Sequence, residues 1–169
     1  METMKNAAAI RPILSQTKNN TTTWVGHLQD ETVDHFGGQT FKCPDEGYLD
    51  NIQVYASMIQ RPGNIQLTLY EFDETQKHWN LSIANSSVIA TLKDEGEWLS
   101  FMMPRIYLSK NKTYGFRLQS KDAMVGIGEF ARGNHEPCLF GQEWNADSNN
   151  RDGVFFSWFS LAFKIEMAA

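Results

Sequence analysis

Hydrophobic and polar positions alternate along most of this chain. In "IQLTLYEF", Ile65, Leu67 and Leu69 alternate with Gln66, Thr68 and Tyr70. In "KTYGFRLQS", Tyr114, Phe116 and Leu118 alternate with Thr113, Gly115, Arg117 and Gln119. Successive strand side chains point to opposite faces, so a two-residue period predicts strands with one buried side. Further strands are expected at "TTWVGHLQ" from Thr22, "GGQTFKC" from Gly37, "YLDNIQVYAS" from Tyr48, "WNLSIANS" from Trp79, "SVIATL" from Ser87, "EWLSFMM" from Glu97 and "AMVGIGEF" from Ala123. The last, "VFFSWFSLAFKIEM" from Val154, is apolar on both parities near its start, which predicts a central strand. The turn signals "CPDEG", "RPGN", "KDEGE", "LSKNK" and "ARGNHEP" separate them.

No segment carries a convincing helical stripe. The best attempt, "ETQKHWNLSIANSSV", is weakened by its Ser, Asn and β-branched residues. Many short strands joined by regular turns predict an all-β, single-domain antiparallel β-sandwich of jelly-roll type, in which an early strand lies beside the last. Residues 1–20, with "SQTKNNTTT" and little periodicity, are expected to be a flexible arm, and residues 21–169 the domain.

At 169 residues the chain suits one domain with a real core. A net charge of −5 with scattered Lys and Arg gives no basic footprint, so nucleic acid is not an expected partner. No apolar run is long enough for a membrane span. The start "METMKNAAAIRPILSQ" has too short an apolar stretch for a secretory leader, which leaves a cytoplasmic chain or one whose leader has been removed. Spacing alone leaves Cys43 and Cys138 open between one disulfide and two thiols.

The order "GGQTF", "GYLDNIQVY", "PGNIQLTLYEFD" and "GEWLSFMMPRIYLSKNKTYGFRLQS", over about residues 37–120, resembles bacterial jelly-roll β-sandwich modules: carbohydrate-binding modules and the accessory or anchor-type modules of extracellular proteins. That resemblance implies a non-catalytic binding module of extracellular or cell-surface origin. Its partner would be carbohydrate or a surface glycan.

The residues that fit such a role lie in "EWNADSNNRDG". Trp144 supplies an aromatic face for a pyranose, and Asn145, Asp147, Asn149, Arg151 and Asp152 supply groups for its hydroxyls. Trp79, beside His78, is a second candidate for an exposed stacking ring. Trp24, Trp98 and Trp158 fall inside strand patterns and are assigned to packing. Asp147, Asn149 and Asp152 are oxygen donors that also suit a structural Ca2+, although Arg151 stands where the third ligand of an EF-hand loop would be. A solvated Asn/Asp/Gly turn is the plain alternative.

Two other roles compete. One is a structural or assembly module whose aromatic faces pack on another domain or copy. The other is a glycoside hydrolase with Glu129 and Glu143 as acid and base across a hairpin, though the "ExDxxE" arrangement of β-sandwich glycosidases is missing; the alternative for this pair is two solvated carboxylates near loop ends. His135 and Cys138 lie close together without an orienting third group, and His27, His35, His78 and His135 lack zinc-site spacing.

Overall fold

In the computed structural model, which describes residues 9–169, the alternating segments form strands in the order β1 (Ile10–Gln16), β2 (Thr21–His27), β3 (Asp34–Lys42), β4 (Gly47–Arg61), β5 (Gly63–Asp73), β6 (His78–Ala90), β7 (Glu97–Met102), β8 (Tyr107–Leu108), β9 (Thr113–Gln119), β10 (Met124–Ala131), β11 (Glu143–Asp147), β12 (Asn150–Phe156), β13 (Phe159–Leu161) and β14 (Phe163–Ala168). The helical content of the described residues is two single 3-10 turns, at Leu92–Asp94 and Gly133–His135. The chain is all-β, and every ladder is antiparallel.

One path of hydrogen bonds runs β1-β14-β4-β10-β2-β3-β9-β5-β6, with β7, β8, β11, β12 and β13 attached along it. Four steps of that path separate β14 from β3, about 19 Å at ordinary strand spacing. Yet the Phe163 ring of β14 lies 6.2 Å from Phe41 of β3 and 5.8 Å from Phe116 of β9. The sheet therefore folds over and packs against itself, as in a β-sandwich. Ile65, Leu67, Leu69, Phe116, Leu118, Val125, Ile127, Phe163 and Ile165 fill the space between the layers.

Strand β4 shows how one long strand serves both halves. Asn51 to Val54 lie between β14 and β7, while Ala56 to Arg61 pair with β10. Its buried apolar positions are Leu49, Ile52, Val54, Ala56 and Ile59, so strict alternation slips after Leu49 and again after Ala56. Each slip coincides with an irregularity in the pairing registers, where an extra residue re-aims the strand.

Three expectations need correction. The arm expected over residues 1–20 contains β1, which pairs with β14 and places Leu14 in the core; residues 1–8 lie outside the described residues. The first and last strands are thus neighbours, and the early partner comes from the segment with the least periodicity. The single strand expected from Val154 is three. β12 pairs with β11, β13 with β10, and β14 with β1 and β4, because a turn at Ser157 and Trp158 and a break at Ala162 redirect the chain. Conversely, the two strands expected from Trp79 and Ser87 are one, β6, continuous from His78 to Ala90.

Both cysteines are free. Cys43 is buried and donates from Sγ to the carbonyl of Asp45, and Cys138 is partly buried. Burial pushes both thiols above their ordinary pKa, which disfavours the reactive thiolate.

Candidate binding groove

The segment expected to be a polar loop is a hairpin joined to the sheet. Glu143 to Asp147 form β11, which pairs with β3 on one side and β12 on the other. The hairpin turns at Ser148 and Asn149, and Asp147 Oδ1 accepts the backbone N–H groups of Asn149 and Asn150, both at 2.8 Å. That carboxylate oxygen closes its own turn. Among the described residues no group of three or more His, Cys, Asp or Glu side chains converges as a metal site would require.

Alternation along β11 sends its side chains to two different places. Trp144 goes to the outer face, where it is 2% exposed instead of presenting a stacking surface, and its Nε1–H donates to the Asp152 carbonyl at 2.8 Å. Trp79 meets it edge-on with ring centroids 5.4 Å apart, and Phe72, Tyr70 and Phe155 complete the cluster. The two indoles fit because β3 and β9 carry glycine beneath them. A Cβ on Gly38 would come within 3.1 Å of the Trp144 ring, and one on Gly115 within 2.7 Å of Trp79. Trp144 and Trp79 are therefore the walls of a second small apolar layer outside the sandwich.

Arg117 lies in that layer. Its guanidinium carbon sits 4.4 Å from the centroids of both Trp79 and Trp144, and 5.2 Å from Tyr70. Burial among these rings pulls its pKa below the ordinary guanidinium value, and the negative faces of the rings attract the charge. Arg117 Nε and Trp79 Nε1 are both buried donors without an acceptor.

Glu143 points the other way, into the interior, and Asn145, two residues on, is partly buried at the edge of the open cleft. Thr23 Oγ1 donates to Asn145 Oδ1 at 2.9 Å, and Asn145 Nδ2 donates to Glu143 Oε2 at 2.8 Å. Glu143 is wholly buried and Glu129, opposite it on β10, is 7% exposed. The two carboxyls, expected to be either an acid and base across a hairpin or solvated loop groups, form a buried pair in hydrogen-bonding contact. Burial first, and then the neighbouring Glu129, push the pKa of Glu143 up to about 10. As a carboxylate its Oε1 has no donor to accept from; protonated, it donates to Glu129.

The open concavity lies beside this hairpin. A cleft of about 600 Å3 is lined by Trp24, Phe36, His35, Glu31, Asn145, Asp147, Asn150 and the threonines at 22 and 23. Trp24 and Phe36 are partly exposed. Phe36 also borders two further depressions, one of about 550 Å3 with Asn64, Gln66, Gln119 and Lys121, and one of about 190 Å3 with Tyr70, Arg117 and Trp144; Arg151 borders both. Phe36 is thus common to the lining of all three depressions.

Of the residues expected to form a site, Asn145 and Asp147 line the cleft of about 600 Å3, Arg151 lines the two depressions of about 550 and 190 Å3, and Trp144 walls the latter. Asn149 and Asp152 are exposed at the turn and on β12, and Trp79 is held inside the aromatic layer. Trp24, assigned to packing, is instead a groove residue. Its signal was that its neighbours on the same strand face are Thr22 and Gly26, which are not apolar partners of any size.

The remaining candidates are accounted for by local contacts. His27 Nδ1 lies 2.6 Å from Asp34 Oδ1, His35 Nε2 lies 3.3 Å from Glu31 Oε2, and the His135 ring stacks on Trp158 at 4.7 Å. Trp98 meets Tyr55 edge-on. No family model matches the chain, and no curated protein matches it.

Proposed function

We propose that the protein is a non-catalytic module that binds carbohydrate, with the sugar chain lying in the groove centred on Phe36. The observation that supports this reading most directly is the lining of the cleft of about 600 Å3. Trp24 and Phe36 offer apolar ring surface, while Asn145, Asp147, Asn150 and His35 offer planar or directional polar groups around it. A pyranose has an apolar C–H face and a rim of hydroxyls, and a surface of this mixed kind complements both. The resemblance of residues 37–120 to jelly-roll carbohydrate-binding modules points the same way, and with it to an extracellular setting. A structural Ca2+ is not part of this proposal, since Asp147 Oδ1 is occupied by its turn.

Stacking of this kind contributes about 1–3 kcal/mol per ring, so a single module binds weakly and gains strength from repetition. Affinity electrophoresis through gels containing soluble polysaccharides tests the proposal. Retention of the wild type, reduced at least about tenfold in affinity by Trp24→Ala with the melting temperature unchanged, is expected. Passage of the wild type unretarded through every gel rejects it.

The assembly reading is favoured by a separate observation. Among the described residues strand β6 is hydrogen-bonded to β5 alone, and its thirteen residues present Leu81 at 67% and Ile89 at 73% exposure. An open ladder bearing apolar side chains invites pairing with another strand. Light scattering distinguishes the two readings: a concentration-dependent dimer abolished by Ile89→Lys supports assembly through this edge.

A further inference from the structure

We infer that the end of the groove formed by Arg117 and Arg151 is a subsite for an oxyanion, so that the bound saccharide is acidic. This inference rests on the glycan reading and adds the ligand's charge to it. The depression there measures about 190 Å3, room for a carboxylate or sulfate group with part of its sugar ring. Two guanidinium side chains border it, in a protein whose net charge is −5. Neither makes an ion pair with a carboxylate among the described residues, where the recorded pairs engage Arg11, His27, His35, Lys112 and Arg132. Asp152 lies near enough to Arg117 to favour its charge but not to pair with it.

Two features make Arg117 a receptor and not only a packing element. First, it is held in place before any ligand arrives: Trp79 and Trp144, edge-on to each other, form a corner in which the guanidinium lies 4.4 Å from each ring, leaving its other side toward the depression. A cation immobilised in a region of low dielectric attracts an anion more strongly than a mobile surface lysine does, because neither rotamer entropy nor full hydration has to be given up again. Second, the cluster is short of acceptors. Of the three buried side-chain polar atoms left without partners among the described residues, two are N–H donors of this cluster, Arg117 Nε and Trp79 Nε1. Buried donors are normally satisfied; Arg117, which borders the depression, is hydrogen-bonded to Tyr70 yet keeps Nε without an acceptor, while Trp79 lies behind it and not in the depression itself. Arg151, exposed on β12 with its guanidinium 5.8 Å from the Phe36 ring, stands between this depression and the rest of the groove. A chain stacked on Phe36 and Trp24 would bring one of its units to the two arginines.

Calorimetric titration with three tetrasaccharides tests this: one of galacturonic acid, one of sulfated galactose, and cellotetraose as the uncharged control, with the Arg117 Nε–H resonance followed in parallel. The expected result is binding of an acidic tetramer at least about tenfold tighter than the neutral one, a preference erased by R151Q at an unchanged melting temperature and weakened as salt rises from about 0.05 to about 0.5 M. Preference for the carboxylated or for the sulfated tetramer names the source of the oxyanion, and either supports the subsite. Equal binding of acidic and neutral tetramers, unaltered by R151Q, overturns the acidic subsite and leaves the glycan reading intact. If no tetramer binds while free galacturonate or sulfate still shifts the Arg117 resonance in wild type but not in R151Q, the glycan reading fails and the anion pocket stands. No binding and no shift overturns both.

Discussion

Glu143 is the residue whose protonation matters most to this fold. It is fully buried, accepts from Asn145 of its own strand, and faces Glu129. Its pKa rises in the folded state from an ordinary 4.5 to about 10. A carboxyl with a raised folded-state pKa contributes its full share of stability below pH 4.5. Above that value the unfolded chain releases the proton while the folded one keeps it, so stability falls until about pH 10. Denaturant melts at pH 4, 6 and 8 are expected to show that decline. E143Q keeps the shape, donates permanently to Glu129 and has no proton to lose, so it should gain about 1–3 kcal/mol over wild type at pH 8 and little at pH 4. A wild-type profile that is flat from pH 5 to 8 would rule out the buried proton. None of this was legible in sequence, where Glu129 and Glu143 are two acids fourteen positions apart. Nothing local marks a carboxyl for burial. Trp144 was misjudged for a related reason, because its Asn, Asp and Gly neighbours describe the turn that begins four residues on, at Ser148, and not the layer that covers the ring.

Among the elements, β3 and β9 carry the clearest division of labour. Their inward faces hold Phe41, Phe116 and Leu118 in the core, and their outward faces carry Gly38 and Gly115, over which Trp79 and Trp144 lie. Glycine is needed at both for space. At Gly115 an added methyl would press into Trp79 at 2.7 Å, and at Gly38 it would meet the Phe116 carbonyl at 2.6 Å. Gly115→Ala should therefore displace the indole, destabilise by about 1–3 kcal/mol and shift tryptophan emission to the red, while loosening the grip on Arg117. An unchanged spectrum and melting temperature would mean that Trp79 is not packed there. Strand existence and buried faces in β5 and β9 could be read from alternation, since the two-residue period belongs to the strand itself. The slips in β4 could not, because they are set by partners on β10 and β14 that lie far away in sequence.

Over the whole molecule, stability depends on closing the ladder at its ends. β1 covers the outer edge of β14 and adds Leu14 to the core. Deleting residues 1–17 should lower the melting temperature and expose the edge of a strand whose Phe163, Ile165 and Met167 are all buried, giving concentration-dependent aggregation measurable by light scattering. A truncated chain as stable and monomeric as the full one would show that β1 is dispensable. The amino-acid sequence by itself determined the all-β character, most strand positions and much of the inward-facing set, because alternation is imposed by backbone geometry one residue at a time. Tertiary structure alone decided which strands became neighbours, how the apolar run after Val154 divided among three partners, which tryptophans were covered, and where polar groups converged as a groove. Those outcomes depend on surfaces that come together only when distant segments pack, and the free energy of burying a side chain is a property of that meeting and not of the side chain's neighbours along the chain.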